Sequence, residues 1–221
     1  HVALILDGNK RWAKKNKFSN IYGYSKGFEN IKNIVKYSLS IKLPILTIFA
    51  LSSENFYRSS ISTIYNIIYD NFSNVFDELV KDNGVRIKII GSKENLPSKI
   101  LEIFEKIEDL SSKNKNLDLN IAFNYGFKNE ILSVIKKINN NKEKLNIQSY
   151  KDLNKLFYLG SFPDPDILIR TGGYQRLSNF IMYNLTYTEL FFTKTLWPEF
   201  SENEFQSLLD KFFKINRKYG L

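Results

Sequence analysis

Two short stretches of this chain carry residues whose types and spacing suit phosphate chemistry. Arg170-Thr171-Gly172-Gly173, followed by Arg176 and Ser178, gathers two arginines, hydroxyls and two glycines into nine residues. Arginine forks match phosphate oxygens bidentately, and glycines let backbone donors approach an anion closely. Near the other end, Asp7-Gly8-Asn9 joins a carboxylate to a flexible turn. Asp7 is a hard oxygen ligand suited to Mg²⁺ held jointly with a diphosphate, and the backbone at Gly8 can hold phosphate oxygens. Taken alone, the tripeptide is common and more often an ordinary turn. Arg11 and Arg58 follow other strand ends and add positive charge. The whole set predicts cationic subsites for two phosphate-bearing groups and one carboxylate for a metal. Neither a GxxxxGK[ST] loop nor a GxGxxG fingerprint occurs, so nucleotide binding loses its usual support.

Composition narrows the field further. The chain has 221 residues, a length that suits one α/β domain or two small ones, and with 43% of them hydrophobic and 25% charged the balance supports a substantial core. Cysteine is absent and the one histidine is His1, which excludes disulfides, thiolate chemistry, a histidine triad and a multi-histidine metal centre. The 18 Phe and 13 Tyr fill the core or line a large apolar site. A net charge of +9 admits nucleic acid, an anionic membrane surface or phosphorylated substrates as partners. Much of that charge is scattered lysine, the pattern of a solvated face, and no basic helix or stacking signature supports nucleic acid. No apolar run approaches the roughly 20 residues of a spanning helix. No signal peptide is visible, and a start at His1 rather than Met suggests a segment removed ahead of it.

The elements that must position these residues read as alternating strands and helices. Short buried runs at 2–6, 45–51, 86–90, 117–123, 166–169 and 189–192 have strand character. Between and after them, apolar residues recur at helical spacing: Phe28, Ile31, Ile34, Val35 and Leu39; the stretch 61–79; Pro97 through Ile107; 129–138; and 202–215. The stripe at 61–79 suits either an apolar tunnel or plain core. Such alternation predicts one parallel sheet with helices on both faces. Ligands then bind beyond the carboxyl ends of the strands, where Asp7, Ser52 to Asn55, Asn124 and Arg170 fall.

Taken in order, these motifs resemble the cis-prenyltransferases, the undecaprenyl and dehydrodolichyl diphosphate synthases. Residues 1–13 (HVALILDGNKRWA) resemble the family's opening signature, 52–58 (SSENFYR) its second motif and 119–126 (LNIAFNYG) its third. Residues 165–173 (PDILIRTGG), 176–180 (RLSNF), Glu189-Leu190 and Leu196-Trp197-Pro198 resemble its last block. The resemblance implies a six-stranded parallel sheet flanked by helices, working as a homodimer. It implies condensation of isopentenyl diphosphate onto an allylic diphosphate, farnesyl diphosphate as starter, to a long-chain polyprenyl diphosphate for dolichol or carrier-lipid synthesis. Asp7 would bind Mg²⁺ and assist ionisation, with Glu189 helping across the dimer interface. Gly8, Arg11 and Arg58 would hold the allylic diphosphate; Arg170, Arg176 and Ser178 would hold isopentenyl diphosphate. Asn9 and Asn55 would orient the latter for proton loss, and Arg217 belongs to an element that reaches the partner's site. A cytoplasmic location, or the cytosolic face of the endoplasmic reticulum with peripheral membrane association, goes with this reading.

Several positions depart from the family pattern. Asn20 stands where an arginine is usual, Tyr24 where a histidine is usual, Tyr174 where a glutamate follows the glycine pair, and Lys10 where a small residue is common. Without those groups, Arg11, Arg58 and the Asp7-bound metal must carry most of the allylic diphosphate binding. A non-catalytic accessory subunit is the competing reading. The presence of Asp7, Arg11, Arg170, Arg176, Ser178 and Glu189 opposes it.

Overall fold

The computed structural model describes residues 1–56, 61–81, 84–140 and 145–218; at 71–78, 80 and 81 it describes the backbone alone. Arg58 lies outside the described residues, as do Phe72, Val75 and Phe76 of the apolar stripe in their side chains. Strands β1 (Val2–Ile5), β2 (Ile45–Ser52), β3 (Val85–Ile90), β4 (Leu117–Tyr125), β5 (Ile167–Arg170) and β6 (Glu189–Phe192) form one six-stranded sheet in the order β3-β4-β2-β1-β5-β6. Every pairing is parallel. Helices α1 (Asn9–Lys15), α2 (Asn20–Ser40), α3 (Ser53–Phe56), α4 (Ile61–Lys81), α5 (Ser98–Ser111), α6 (Phe127–Asn140), α7 (Tyr150–Asn154) and α8 (Glu202–Phe213) fill the connections.

The alternation of side chains along each strand divides the core in two. Val2, Leu4, Leu46, Ile48, Ile167 and Ile169 face one large cluster that includes Ile34 of α2, Phe104 of α5 and Phe205 of α8. Ala3, Ile5, Phe49, Ala122 and Leu168 face a smaller cluster with Phe180 and Leu159. Both faces are covered, which is why the strands read as continuous apolar runs.

Strand order decides where a ligand can enter. From β1 the chain crosses to β2 on one side; from β5 it crosses to β6 on the other. The loops leaving β1 and β5 therefore diverge and open a crevice between them, the position where such sheets bind ligands. Val2 pairs with Ile167 and Ile5 with Arg170, so Asp7 and Arg170 meet at that crevice.

The structure adds helix where the sequence suggested a loop. Residues 9–15 (NKRWAKK) form α1, capped at Gly8, whose carbonyl accepts the Trp12 N–H at 2.8 Å. Its charged residues gave no apolar period, because only Ala13 is buried. Ser19 caps α2 by accepting the Tyr22 N–H at 3.2 Å, so Asn20 and Tyr24 sit in a helix.

Candidate active site

Asp7 organises the crevice. Its Oδ1 accepts from Arg11 Nη2 at 3.0 Å, and its Oδ2 accepts from Arg170 Nη2 at 2.8 Å. Its backbone is fixed by Thr171: Asp7 N–H donates to Thr171 Oγ1 at 3.0 Å, and that hydroxyl donates to the Asp7 carbonyl at 2.8 Å. Thr171 was seen in the sequence only as a hydroxyl near phosphate; here it ties the two strand ends together. Gly8 follows at φ 124°, against Leu196. A side chain there would be strained in any case.

Arg170 is 3% exposed and spans the site. One arm holds Asp7. The other donates to Ser178 Oγ at 2.7 Å and to the Arg176 carbonyl. Among the described residues, its Nε is buried without a hydrogen-bond partner, as is Asn9 Oδ1. A buried unpaired donor or acceptor is costly, and a substrate that supplies the partners would relieve it. The Asn9 side chain lies so close to Gly27 of α2 that a Cβ there would collide with it.

These residues line a cavity of about 630 Å³. Asp7, Gly8, Asn9, Arg11, Asn55, Arg170, Arg176 and Ser178, each expected in the site from sequence, all border it. Lys10, Tyr24, Glu54 and Asn179 border it as well. Asn20 is exposed and is not among the lining residues. Glu54 is a second carboxylate here. Burial pushes it up, but the Asn179 amide at 2.7 Å, backbone and serine hydrogen bonds outweigh this and hold it below the usual carboxylate range. That contact also ties the second motif to the last block.

Beside the polar cavity lies an apolar one of about 100 Å³, and Leu6, Asn9, Tyr24, Ala50 and Ile64 border both. Gly27, Phe28, Ile31, Ile67, Ile68, Phe104, Ile121, Phe123 and Trp197 complete its wall. The aromatic surplus thus serves both purposes weighed from composition, core and apolar site. The volume suits roughly one five-carbon unit, since a cavity of about 150 Å³ accepts benzene.

Glu189 is not brought to Asp7. It begins β6 opposite Ile167, while Arg170 lies opposite Phe192 at the other end of the strand. At about 3.3 Å per residue, that separates Glu189 from the crevice by most of the strand. Arg217 lies at the same far edge: Nη1 donates to Asp166 Oδ1 at 2.7 Å and Nη2 to the Tyr187 carbonyl at 2.9 Å. Within one chain neither residue reaches the site.

A parallel sheet with an arginine-lined crevice beside an apolar cavity suits a ligand that joins phosphate to an apolar body. The undecaprenyl diphosphate synthase family model matches residues 5–220, and the chain belongs to this cis-prenyltransferase family. An isoprenyl transferase of Aquifex pyrophilus is 38% identical over 223 residues, covering all of this chain and 95% of that protein. A geranylgeranyl-diphosphate-specific tritrans,polycis-undecaprenyl-diphosphate synthase of Pyrococcus furiosus is 37% identical over 227 residues, covering all of this chain and 86% of that one. Lavandulyl diphosphate synthase from Lavandula x intermedia, solved in complex with dimethylallyl diphosphate, superposes with a TM-score of 0.95 at 31% identity; all of this chain and 98% of that one are covered. The chain is a prenyl transferase.

Among the described residues, no group of three or more His, Cys, Asp or Glu is placed to hold a metal. Asp7 nevertheless suits Mg²⁺, which commonly takes one or two carboxylates and completes its shell with substrate phosphates and water.

Proposed function

We propose that this chain, as one catalytic domain over 1–221, condenses isopentenyl diphosphate onto an allylic diphosphate with cis geometry, farnesyl diphosphate serving as starter. The carrying observation is the Asp7-centred arginine crevice, with a buried Arg170 Nε that is unpaired among the described residues, sharing a wall with an apolar cavity. In the reaction the allylic C–O bond breaks, diphosphate departs, a new C–C bond forms and a proton leaves the isopentenyl carbon skeleton. Arg11, Gly8 and Arg58 hold the departing diphosphate. Arg170, Arg176 and Ser178 hold isopentenyl diphosphate; fixed cationic donors stabilise the developing charge. Asn9 and Asn55 orient the homoallylic chain, and binding both substrates in one cavity lowers the entropic barrier. Asp7, with Glu189 contributed by a second copy, would hold Mg²⁺, which would further neutralise diphosphate charge. The bacterial and archaeal sources of the Aquifex and Pyrococcus relatives favour carrier-lipid synthesis in a cytoplasmic setting over dolichol synthesis at the endoplasmic reticulum.

The subsite assignment makes an asymmetric prediction. Arg176→Ala is expected to raise KM for isopentenyl diphosphate about tenfold or more, the worth of a charge-assisted contact, and to raise the allylic KM less. Equal rises would show the two subsites to be misassigned.

The far edge supports a homodimer. Tyr187 is 57% and Leu190 44% exposed on or beside edge strand β6, next to Glu189 and Arg217. Covering such a patch with a second copy would bury it and gives Glu189 and Arg217 a route to the partner's site. Size-exclusion chromatography with light scattering is expected to give twice the chain mass; a fully active monomer would reject this.

Peripheral membrane contact belongs to the same reading. At the corner between α1 and α2, Phe18, Ile21 and Tyr22 are exposed beside Lys14, Lys15 and Lys17. Aromatic and basic side chains suit an anionic headgroup layer. Co-sedimentation with anionic vesicles should fall in a Phe18→Ser, Tyr22→Ser double variant; unchanged co-sedimentation defeats the assignment of this corner.

A further inference from the structure

The Tyr174 ring lies against three guanidinium groups. The Cζ of Arg176 is 4.3 Å from the ring centroid, that of Arg11 4.6 Å and that of Arg170 6.0 Å. The preceding backbone fixes the ring's position. Gly172 N–H donates to the Thr195 carbonyl and Gly173 N–H to the Thr193 carbonyl, each at 2.7 Å. The Gly172 carbonyl in turn accepts from Arg11 Nη1 at 2.6 Å.

The three arginines differ in what else anchors them. Arg11 and Arg170 share the Asp7 carboxylate. Arg176 is exposed and, among the described residues, makes no ion pair, so the Tyr174 ring is its nearest attractive neighbour of this kind. Like charges in one pocket repel, and a free guanidinium gains hydration by turning outward. An aromatic face opposes that through its negative quadrupole. The mode of contact also matters. A carboxylate, the usual residue at this position in the family pattern, occupies the in-plane N–H groups of a guanidinium. A ring touches its face and leaves those donors open to phosphate oxygens.

We propose that Tyr174 is a positioning residue: its ring orders Arg176 and Arg11 together and so joins the isopentenyl and allylic diphosphate subsites through one side chain. This rests on the substrate assignment given above. It predicts a signature that separates Tyr174 from Arg176. Removing the ring weakens both substrates, whereas removing Arg176 weakens mainly one.

The test compares wild type, Tyr174→Phe and Tyr174→Leu, with Tyr174→Gln as a second ring-free variant. KM for each substrate, kcat, circular dichroism and calorimetric binding of inorganic pyrophosphate are measured. Tyr174 is 44% exposed, so its replacement is expected to leave the fold intact, which circular dichroism checks. Loss of the ring is expected to raise both KM values and the pyrophosphate Kd about fivefold, with kcat changed less than about twofold and Phe close to wild type. Unchanged constants in the ring-free variants, a rise in one KM alone, or a Phe variant as impaired as Leu would each overturn the proposal. If the wild type binds pyrophosphate and turns over while the ring-free variants match it, the proposal alone falls. If the wild type does neither, the substrate assignment falls and takes the proposal with it.

Discussion

Asp7→Ala is expected to lower kcat about a thousandfold, the scale of losing a group that stabilises charge only at ionisation. The variant should also be less stable, because Asp7 is the carboxylate that faces Arg170, whose side chain is 4% exposed. Stripping the partner from a buried charge is strongly destabilising. Asp7 itself is 28% exposed and Arg170 keeps its Ser178 contact, which reduces the cost. About 2 kcal/mol, or roughly 4–8 °C in Tm for a chain of this length, is the expected fall. Asp7→Asn separates the two roles. Its amide oxygen still accepts a hydrogen bond from one arginine, so stability returns in part while kcat stays low. Near-normal kcat in a folded Asp7→Ala protein would remove Asp7 from the chemistry.

The second large effect belongs to Arg170. Its guanidinium reaches Asp7 Oδ2 at 2.8 Å on one side and Ser178 Oγ at 2.7 Å on the other, with the Arg176 carbonyl between. Lysine keeps the charge but concentrates it at one point and cannot span that fork. Arg170→Lys is therefore expected to cut kcat/KM for isopentenyl diphosphate roughly a hundredfold, two charge-assisted contacts being lost or bent. Stability should fall less than in Asp7→Ala, since a cation remains opposite Asp7. A lysine variant within about threefold of wild type would mean that charge alone, not the fork, serves the site.

The sheet and most of the crevice could be read from residue pattern because the forces behind them are local. A buried parallel strand must be apolar on both faces, so the runs at 2–6 and 166–169 announced themselves, and the polar residues at their ends marked the site. Strand order was a different matter: nothing in β5 itself says that it lies beside β1, and that neighbour relation is what joins Asp7 to Arg170. α1 was hidden by its charge, its helix held by Gly8 and Ala13 rather than by an apolar stripe. Tyr174 stood out only as a departure from a pattern; its contact with three arginines depends on how the Gly172-Gly173 turn is pinned to residues 193–195. Glu189 was legible as a family residue, yet its place at the far edge of β6 follows from sheet register, which sequence does not display. The tie between Glu54 and Asn179 joins residues 125 positions apart and gave no local signal.

The most direct test is turnover by the purified chain. Labelled isopentenyl diphosphate, farnesyl diphosphate and Mg²⁺ are incubated with it, and products are sized by chromatography and assigned geometry by NMR. The account predicts label incorporated into chains longer than farnesyl, with cis double bonds in the added units, and none when either the allylic substrate or Mg²⁺ is withheld. Absence of any condensed product from folded protein, or product forming only once a second, different chain is added, would contradict it.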